Sequence, residues 1–139
     1  MSALDLIKSM MVAASGMKAQ SGRMRIIAEN IANADSTAKV PGGDPYRRKI
    51  ATFEDKLNRE LGVDTVSLSR PVYDASDFQL KYMPGHPGAD ANGYVKTPNV
   101  NSLVETMDMR EAQRSYEANL NLIQASRRMI SQTIDILRK

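Results

Sequence analysis

The side chains of this sequence that could take part in chemistry are few and widely spaced. The only histidine, His86, lies in a Pro-Gly-His-Pro-Gly stretch, and Asp90 follows four residues later. Acid–base or nucleophilic catalysis needs a base within hydrogen-bond reach of a positioned partner, and no nucleophile stands at a matching position. A histidine isolated in a turn-rich loop is more often a turn contact. We therefore expect no catalytic site and predict that the protein is not an enzyme.

Ligands for a metal ion or a cofactor are equally sparse. One histidine with scattered carboxylates is not a convergent ligand set, and the absence of cysteine removes thiolate ligands and disulfides. The amides of Asn30 and Asn33 are possible ligands, but capping of a helix end is the better interpretation. We expect no metal and no cofactor. A peptidoglycan-cleaving enzyme would need a carboxylate pair in a cleft, and no such arrangement is recognisable.

Length and charge narrow the function classes further. The chain has 139 residues, which predicts one ordinary domain, and its net charge of +3 is spread along the sequence. The only basic run, Arg47-Arg48-Lys49, is interpreted as solvated surface, so we expect no nucleic-acid partner. No apolar run approaches 20 residues, which predicts no membrane span.

The stretch from Asn101 to Lys139 is the element around which the rest must be arranged. It has an apolar residue at every seventh position and small or polar residues three positions later, without Gly or Pro. This pattern is typical of a coiled-coil seam and predicts a helix of roughly 55 Å, capped by Asn101 or Ser102. The apolar positions are Met109, Tyr116, Ile123, Ile130 and Leu137, and the small or polar ones are Ala112, Asn119, Ser126 and Thr133.

A second long helix is predicted from Ala3 to about Asn33. Its stripe alternates large and small residues, which suits close helix packing: Ile7, Met10, Ala14, Met17, Ser21, Met24, Ala28 and Ile31. Gly16 and Gly22 each cost roughly 1 kcal/mol relative to Ala in a helix interior. Asn33 is expected to end the helix in the left-handed conformation.

The predicted fold class is mainly α, with two long terminal helices pairing as an antiparallel coiled coil around a small β-rich insert. Residues 1–34 and 101–139 would form the coiled-coil domain, and residues 35–100 the insert and its connector. Within the insert we expect a strand at 47–53, helical turns at 53–61, a strand over 63–72 that is interrupted at Pro71, and a strand at 78–82. The strand near 78–82 is expected to be half-buried, and Asn92-Gly93 to form a tight turn.

A single helix pair would leave apolar residues uncovered, which marks a further interface. We expect Leu6, Ala13 and Ile27 on the outer face of the first helix, and Leu120 and Ile134 on that of the second. The predicted assembly interface comprises Ile7, Met10, Ala14, Met17, Met24, Ile27, Ile31, Asn33, Met109, Tyr116, Asn119, Leu120, Ile123, Ile130, Ile134 and Leu137.

Three stretches resemble one known family. Asn30-Ile31-Ala32-Asn33-Ala34-Asp35-Ser36 is similar to the motif that closes the N-terminal helix of flagellar axial proteins, the rod and hook family. Ala112-Gln113-Arg114-Ser115-Tyr116-Glu117-Ala118-Asn119 resembles the C-terminal motif of that family. The connector, from Tyr82-Met83-Pro84-Gly85-His86-Pro87 to Pro98-Asn99-Val100, resembles the proximal-rod members, whereas residues 63–77 match no motif.

The resemblance implies a structural subunit of the flagellar basal-body rod, a helical tubular shaft that transmits torque across the periplasm. Its partners would be copies of itself, other rod and basal-body proteins, and the type III export apparatus. The apolar patch Met10 to Ala14 is too short and its flanks too charged for a secretory signal, so export is expected without a cleaved signal peptide. The residues leave one alternative open, a cytosolic helical-hairpin adaptor or binding module.

Overall fold

The computed structural model describes residues 3–60 and 62–138, which group into two compact units. The first unit draws on Met1–Met24, Thr52–Ser69 and Arg110–Lys139, and the second on Arg25–Ala51 and Arg70–Met109. Two helices dominate the chain, α1 at Ala3–Ala32 and α2 at Ser102–Leu137. Both predicted helices, and the mainly α fold class with a small β-rich region between them, are confirmed.

Each helix ends at a side chain that satisfies free backbone groups. The Oδ1 of Asn101 accepts hydrogen bonds from the backbone N–H groups of Leu103 (3.0 Å) and Val104 (3.3 Å), which makes Asn101 the N-cap of α2. At the end of α1, the Nδ2 of Asn33 donates to the carbonyl of Glu29 at 2.8 Å. The prediction that Asn33 adopts the left-handed conformation is wrong, because in the described part of the chain only glycines have positive φ.

In the first unit, α1 and α2 run antiparallel, as predicted. A Cβ built at Gly16 would lie 2.8 Å from the Nδ2 of Asn119, and Arg23 forms an ion pair with Glu111 at 3.8 Å. Moving forward along α1 therefore means moving backward along α2. Gly16 leaves the space that the Asn119 side chain occupies, and the buried small residues Ala112 and Ser126 lie on the predicted seam of α2.

The buried stripe of α1 lies one or two residues earlier than predicted. Leu6, Ala13 and Ala19 are buried in the first unit, and Ile27 is buried in the second. The prediction that Leu6, Ala13 and Ile27 stay on an outer face is therefore wrong. The expected stripe was chosen for its large Met and Ile side chains. The residues that are buried along this helix include the small Ala13 and Ala19 as well as the large Leu6, Ile26 and Ile27.

Among the described residues, six short strands form three separate two-stranded antiparallel sheets, which confirms the β-rich insert. The sheets pair β1 with β4, β2 with β3 and β5 with β6. The strands are β1 Lys49–Ile50, β2 Phe53–Asn58, β3 Val63–Leu68, β4 Val72–Tyr73, β5 Gln79–Tyr82 and β6 Tyr94–Thr97.

The prediction of helical turns at residues 53–61 is wrong, because β2 and β3 form a hairpin. Its register runs from Phe53 opposite Leu68 to Asn58 opposite Val63, and Gly62 follows the turn with a φ of 62°. Phe53 and Leu57 are four residues apart, a helical spacing, but the β-branched residues of β3 provide a better partner. In the first unit the hairpin packs on α1, where Leu68 lies over Gly22.

The sheet of β5 and β6 differs from its prediction in burial. Every residue of β5 is exposed, so the half-buried pattern expected there is wrong, and the buried residue of the sheet is Val95 on β6. Tyr82 and Tyr94 lie opposite each other and pack edge to face with ring centroids 5.3 Å apart. The predicted tight turn is confirmed, since Gly93 has a φ of 81°.

His86 is a structural contact in the second unit. Its Nδ1 accepts a hydrogen bond from the backbone N–H of Gly88 at 2.9 Å, and its Nε2 lies 3.1 Å from the hydroxyl of Thr37. Gly88 is buried, and a Cβ built there would lie 2.4 Å from the carbonyl oxygen of Ala38. The connector is thereby locked against the segment that follows α1.

Neither helix described here carries a stretch apolar and long enough to cross a lipid bilayer.

A single methyl group at position 88 should disrupt this contact. We expect Gly88→Ala to lower the free energy of unfolding by about 2 kcal/mol, as overpacking against a fixed backbone commonly does. Gly85→Ala is the matched control in the same loop, because a Cβ there meets no atom within 4 Å. Urea denaturation followed by circular dichroism measures both, and equal losses would contradict the predicted clash.

Candidate functional site: a buried polar cluster and an exposed apolar surface

The second unit is built around a polar cluster formed by Asn30, Tyr46, Arg48, Lys49 and Glu105. Asn30 is 1% exposed, and its amide uses all of its hydrogen-bonding capacity. The Oδ1 accepts from the Tyr46 hydroxyl (2.8 Å) and the Lys49 backbone N–H (3.0 Å). The Nδ2 donates to the Lys49 carbonyl (2.8 Å) and to Oε2 of Glu105 (3.0 Å). One side chain thus joins the end of α1, the start of β1 and the first turns of α2.

The carboxylate of Glu105 is completely buried, and Arg48 neutralises it. Nε of Arg48 donates to Oε1 of Glu105 at 2.5 Å, and the same guanidinium lies 3.4 Å from Asp74 and 3.7 Å from Asp108. Burial by itself lowers the pKa of Arg48, but the hydrogen bonds and charges of Glu105 and then Asp74 together outweigh it, so the pKa is raised overall. A buried charge is tolerated only when it is paired and hydrogen-bonded in this way.

The interpretation of Arg47-Arg48-Lys49 as solvated surface is wrong. Arg47 lies over the ring of Phe78 at 4.2 Å and donates to the Asp74 carbonyl, while Lys49 pairs with Glu29 at 2.5 Å. Each of the three cations therefore has a structural partner. One signal was present in the sequence: Glu105 stands seven residues before Ala112, on the inner stripe of α2. A charge at that position requires a buried cation.

Asn30 is a core residue rather than a helix cap, because its amide is saturated by protein groups. Asn33 alone performs the predicted capping. In the described residues 3–60 and 62–138, no three His, Asp or Glu side chains converge in a way that could hold a metal ion. The hydrogen bonds of Asn30 to Tyr46, Lys49 and Glu105 make the cluster a fixed joint between three chain segments.

The sixteen residues predicted as an assembly interface differ in exposure. Ile27 is buried. Ile7, Ala14, Ile31, Leu120, Ile134 and Leu137 are exposed, and the remaining nine are half-buried. The structure brings Asn119 to Gly16, inside the helix pair of the first unit. Other large exposed side chains lie outside the predicted set, among them Leu103 and Met107 at the start of α2. Their role in binding other subunits stays a prediction.

Comparison with known proteins places both ends of the chain in one class. Residues 10–38 match the family model described as flagella basal body rod protein, and residues 91–136 match flagellar basal body rod FlgEFG protein C-terminal. These ranges contain the two helix motifs identified in the sequence. The class is that of flagellar rod proteins.

Relatives along nearly the whole chain identify the family within this class. The chain is 52% identical over 127 residues to the flagellar basal-body rod protein FlgC of Agrobacterium fabrum, covering 91% of each. It is 38% identical to that of Bacillus subtilis, covering 92% of this chain and 95% of the relative. It is 37% identical to that of Salmonella typhimurium, covering 90% and 92%.

The chain belongs to the FlgC family of flagellar basal-body rod proteins, and its function is that of a structural subunit of the basal-body rod. The predicted resemblance is confirmed, and the cytosolic adaptor has no support among these relatives.

Removing the Asn30 amide should unfold the second unit more easily. Asn30→Ala leaves three backbone or side-chain groups and one carboxylate oxygen without their partner, so we expect a loss of about 3 kcal/mol. Asn33→Ala, which removes one exposed hydrogen bond, should cost about 1 kcal/mol or less. Urea midpoints of the two variants test this, and equal losses would show that the cluster is not a structural joint.

Asp74 should make the stability of this unit fall in acid. The backbone N–H of Ser76 and the Ser76 hydroxyl, and then Arg48, hold the pKa of Asp74 below its ordinary value. Because the folded pKa is below the unfolded one, this contribution is present above about pH 4 and is lost as pH falls through the folded pKa.

The test compares the urea midpoint of the wild type with that of Asp74→Asn between pH 2 and 6. We expect the variant to be less stable at pH 6 and the difference to shrink toward pH 2. A difference that does not vary with pH would refute the role of the charge.

Proposed function

We propose that this rod subunit assembles through the apolar surface of its helix pair, against copies of itself and other rod and basal-body proteins. The observation that carries the proposal is the exposure of large aliphatic side chains in the first unit. Ile134 and Leu137 are 56% and 81% exposed, and Ile7 and Leu120 are exposed as well. Large uncovered apolar surface of this kind marks a protein–protein interface.

The last turns of α2 support an assembly in which neighbours complete the helix. Every residue from 131 to 138 is exposed, so tertiary contacts with the described residues cover little of this end of α2. Helix formation without tertiary contacts is marginal in water. We therefore infer that the ends of the helix pair gain much of their order when a neighbouring subunit covers them.

The proposed interface is heterologous, because different patches of the subunit contact each other around the shaft. Such contacts do not close and generate helical filaments. Long antiparallel helices with apolar residues along their length share many contacts between neighbours, which suits the transmission of motor torque. We place the subunit in the proximal part of the rod, on the resemblance of residues 82–100 to proximal-rod members.

We also propose that the chain crosses into the periplasm unfolded, through the flagellar type III export apparatus and without cleavage. The family resemblance supports this route. The absence of cysteine fits it, because no disulfide has to form after export.

A charged substitution on the exposed surface tests the interface without touching the folded core. We expect Ile134→Asp to abolish rod assembly and swimming while the purified chain keeps its circular dichroism spectrum. Gln132→Asp is the matched control, since it adds the same charge to an exposed position two residues away, on another side of α2.

Three measurements separate the possible outcomes. Soft-agar motility reports function, isolated basal bodies report incorporation, and the periplasmic amount of the variant reports export. Normal incorporation of Ile134→Asp would refute the assembly surface. Loss of the variant from the periplasm would show that the substitution acts on export instead of assembly.

A further inference from the structure

The hairpin of β2 and β3 in the first unit contacts α1 from the outer edge of β3, whereas the outer edge of β2 is exposed. The backbone N–H of Val66 donates to Oγ of Ser15 on α1 at 3.3 Å, so it points away from β2. Val66 lies opposite Asp55, and residues opposite each other in an antiparallel ladder alternate between bonded and non-bonded pairs. Asp55 therefore also turns its N–H and C=O away from the hairpin, toward the free side of β2.

The alternation extends this assignment along the strand. The backbone N–H of Ser69 donates to the carbonyl of Thr52 at 2.9 Å, so Thr52 and Ser69 form a bonded pair. Counting the alternation from this pair also makes Asp55 and Val66 a non-bonded pair. Phe53, Asp55 and Leu57 consequently present their backbone groups outward, and all three residues are exposed. In the described chain, no hydrogen bond satisfies these outward groups. A two-stranded sheet with an open edge is a template for a further strand.

We propose that the strand that pairs with this edge is β2 of a second copy of the chain, arranged antiparallel. Outward-facing residues can bond only with outward-facing residues, so Phe53, Asp55 and Leu57 must meet the same three residues of the second copy. The register centred on Asp55 places Phe53 opposite Leu57 of the second copy and Glu54 opposite its Lys56. By symmetry each of these pairs occurs twice, which gives two apolar contacts and two opposite-charge contacts.

Charge complementarity selects this register over its neighbours. Shifting the second strand by two residues in one direction places Glu54 opposite Glu54, and shifting it in the other places Lys56 opposite Lys56. Both shifts also bring Asp55 opposite an apolar residue. The register centred on Asp55 has one unfavourable contact, Asp55 opposite Asp55, and this repulsion keeps the pairing weak and reversible.

This contact is separate from the rod interface proposed above. It is two-fold symmetric and closes on itself, so it produces a dimer and cannot propagate a filament. It also uses the hairpin instead of the apolar surface of the helices. Its failure would leave the proposed rod assembly untouched.

Disulfide trapping tests the register directly, because the natural chain contains no cysteine. In the proposed dimer the Cα atoms at position 55 of the two copies are about 5.5 Å apart, within the range that a disulfide spans. We expect Asp55→Cys to form a covalent dimer in a glutathione redox buffer at least about tenfold faster than Asp64→Cys. Position 64 is a matched control because it is an exposed aspartate on β3, remote from the proposed axis.

Charge reversal provides a second test that does not involve cysteine. The Asp55→Lys variant alone should self-associate no more tightly than the wild type. An equimolar mixture of the wild type and this variant should form a heterodimer. Since an opposite-charge pair replaces a like-charge pair, the heterodimer should dissociate at a concentration about two- to fivefold lower than the wild-type dimer. Sedimentation velocity with one fluorescently labelled component measures this. Equal trapping rates at positions 55 and 64, or no preference for the mixed dimer, would overturn the proposal.

Discussion

The burial of one negative charge at the start of α2 controls the construction of the second unit. Glu105 is completely inaccessible to solvent, and an unpaired carboxylate in that environment would cost several kcal/mol. Arg48 supplies the opposite charge and Asn30 supplies a neutral donor, so both carboxylate oxygens are satisfied. These partners come from three distant parts of the sequence. The requirement to neutralise Glu105 therefore brings the end of α1, β1 and α2 together in a single arrangement.

The two units obtain their order from different physical sources. In the second unit, directional hydrogen bonds and ion pairs join the chain segments, beside the buried aliphatic side chains of Ile26, Ile27 and Val95. In the first unit, the Asn119 side chain lies against Gly16 and Leu68 packs over Gly22. Contacts at glycines therefore have a larger part in the first unit, and the saturated polar cluster has a larger part in the second.

The success of sequence reasoning followed the strength of the periodic signal. The heptad pattern of α2 spans many turns, so its extent, its buried stripe and its Asn101 cap were predictable. On α1 large and small residues alternate in adjacent stripes, and the choice between them depends on how closely α2 approaches. The hairpin at 53–68 was misread because Phe53 and Leu57 also satisfy a helical spacing, and only pairing with β3 separates the two possibilities. The polar cluster was missed because its members lie up to 75 residues apart in the sequence, and no local pattern reports such a distance.

The arrangement of Gly16 against Asn119 has a consequence for the order of events during synthesis. More than 100 residues separate these two positions, and neither compact unit is complete without segments from the later part of the chain. Because contacts of such high sequence separation form only once both partners exist, a nascent chain emerging from the ribosome has no finished unit to collapse into. Translation must nearly end before either unit can close. The newly made polypeptide is therefore left without a closed unit until its later segments have been added.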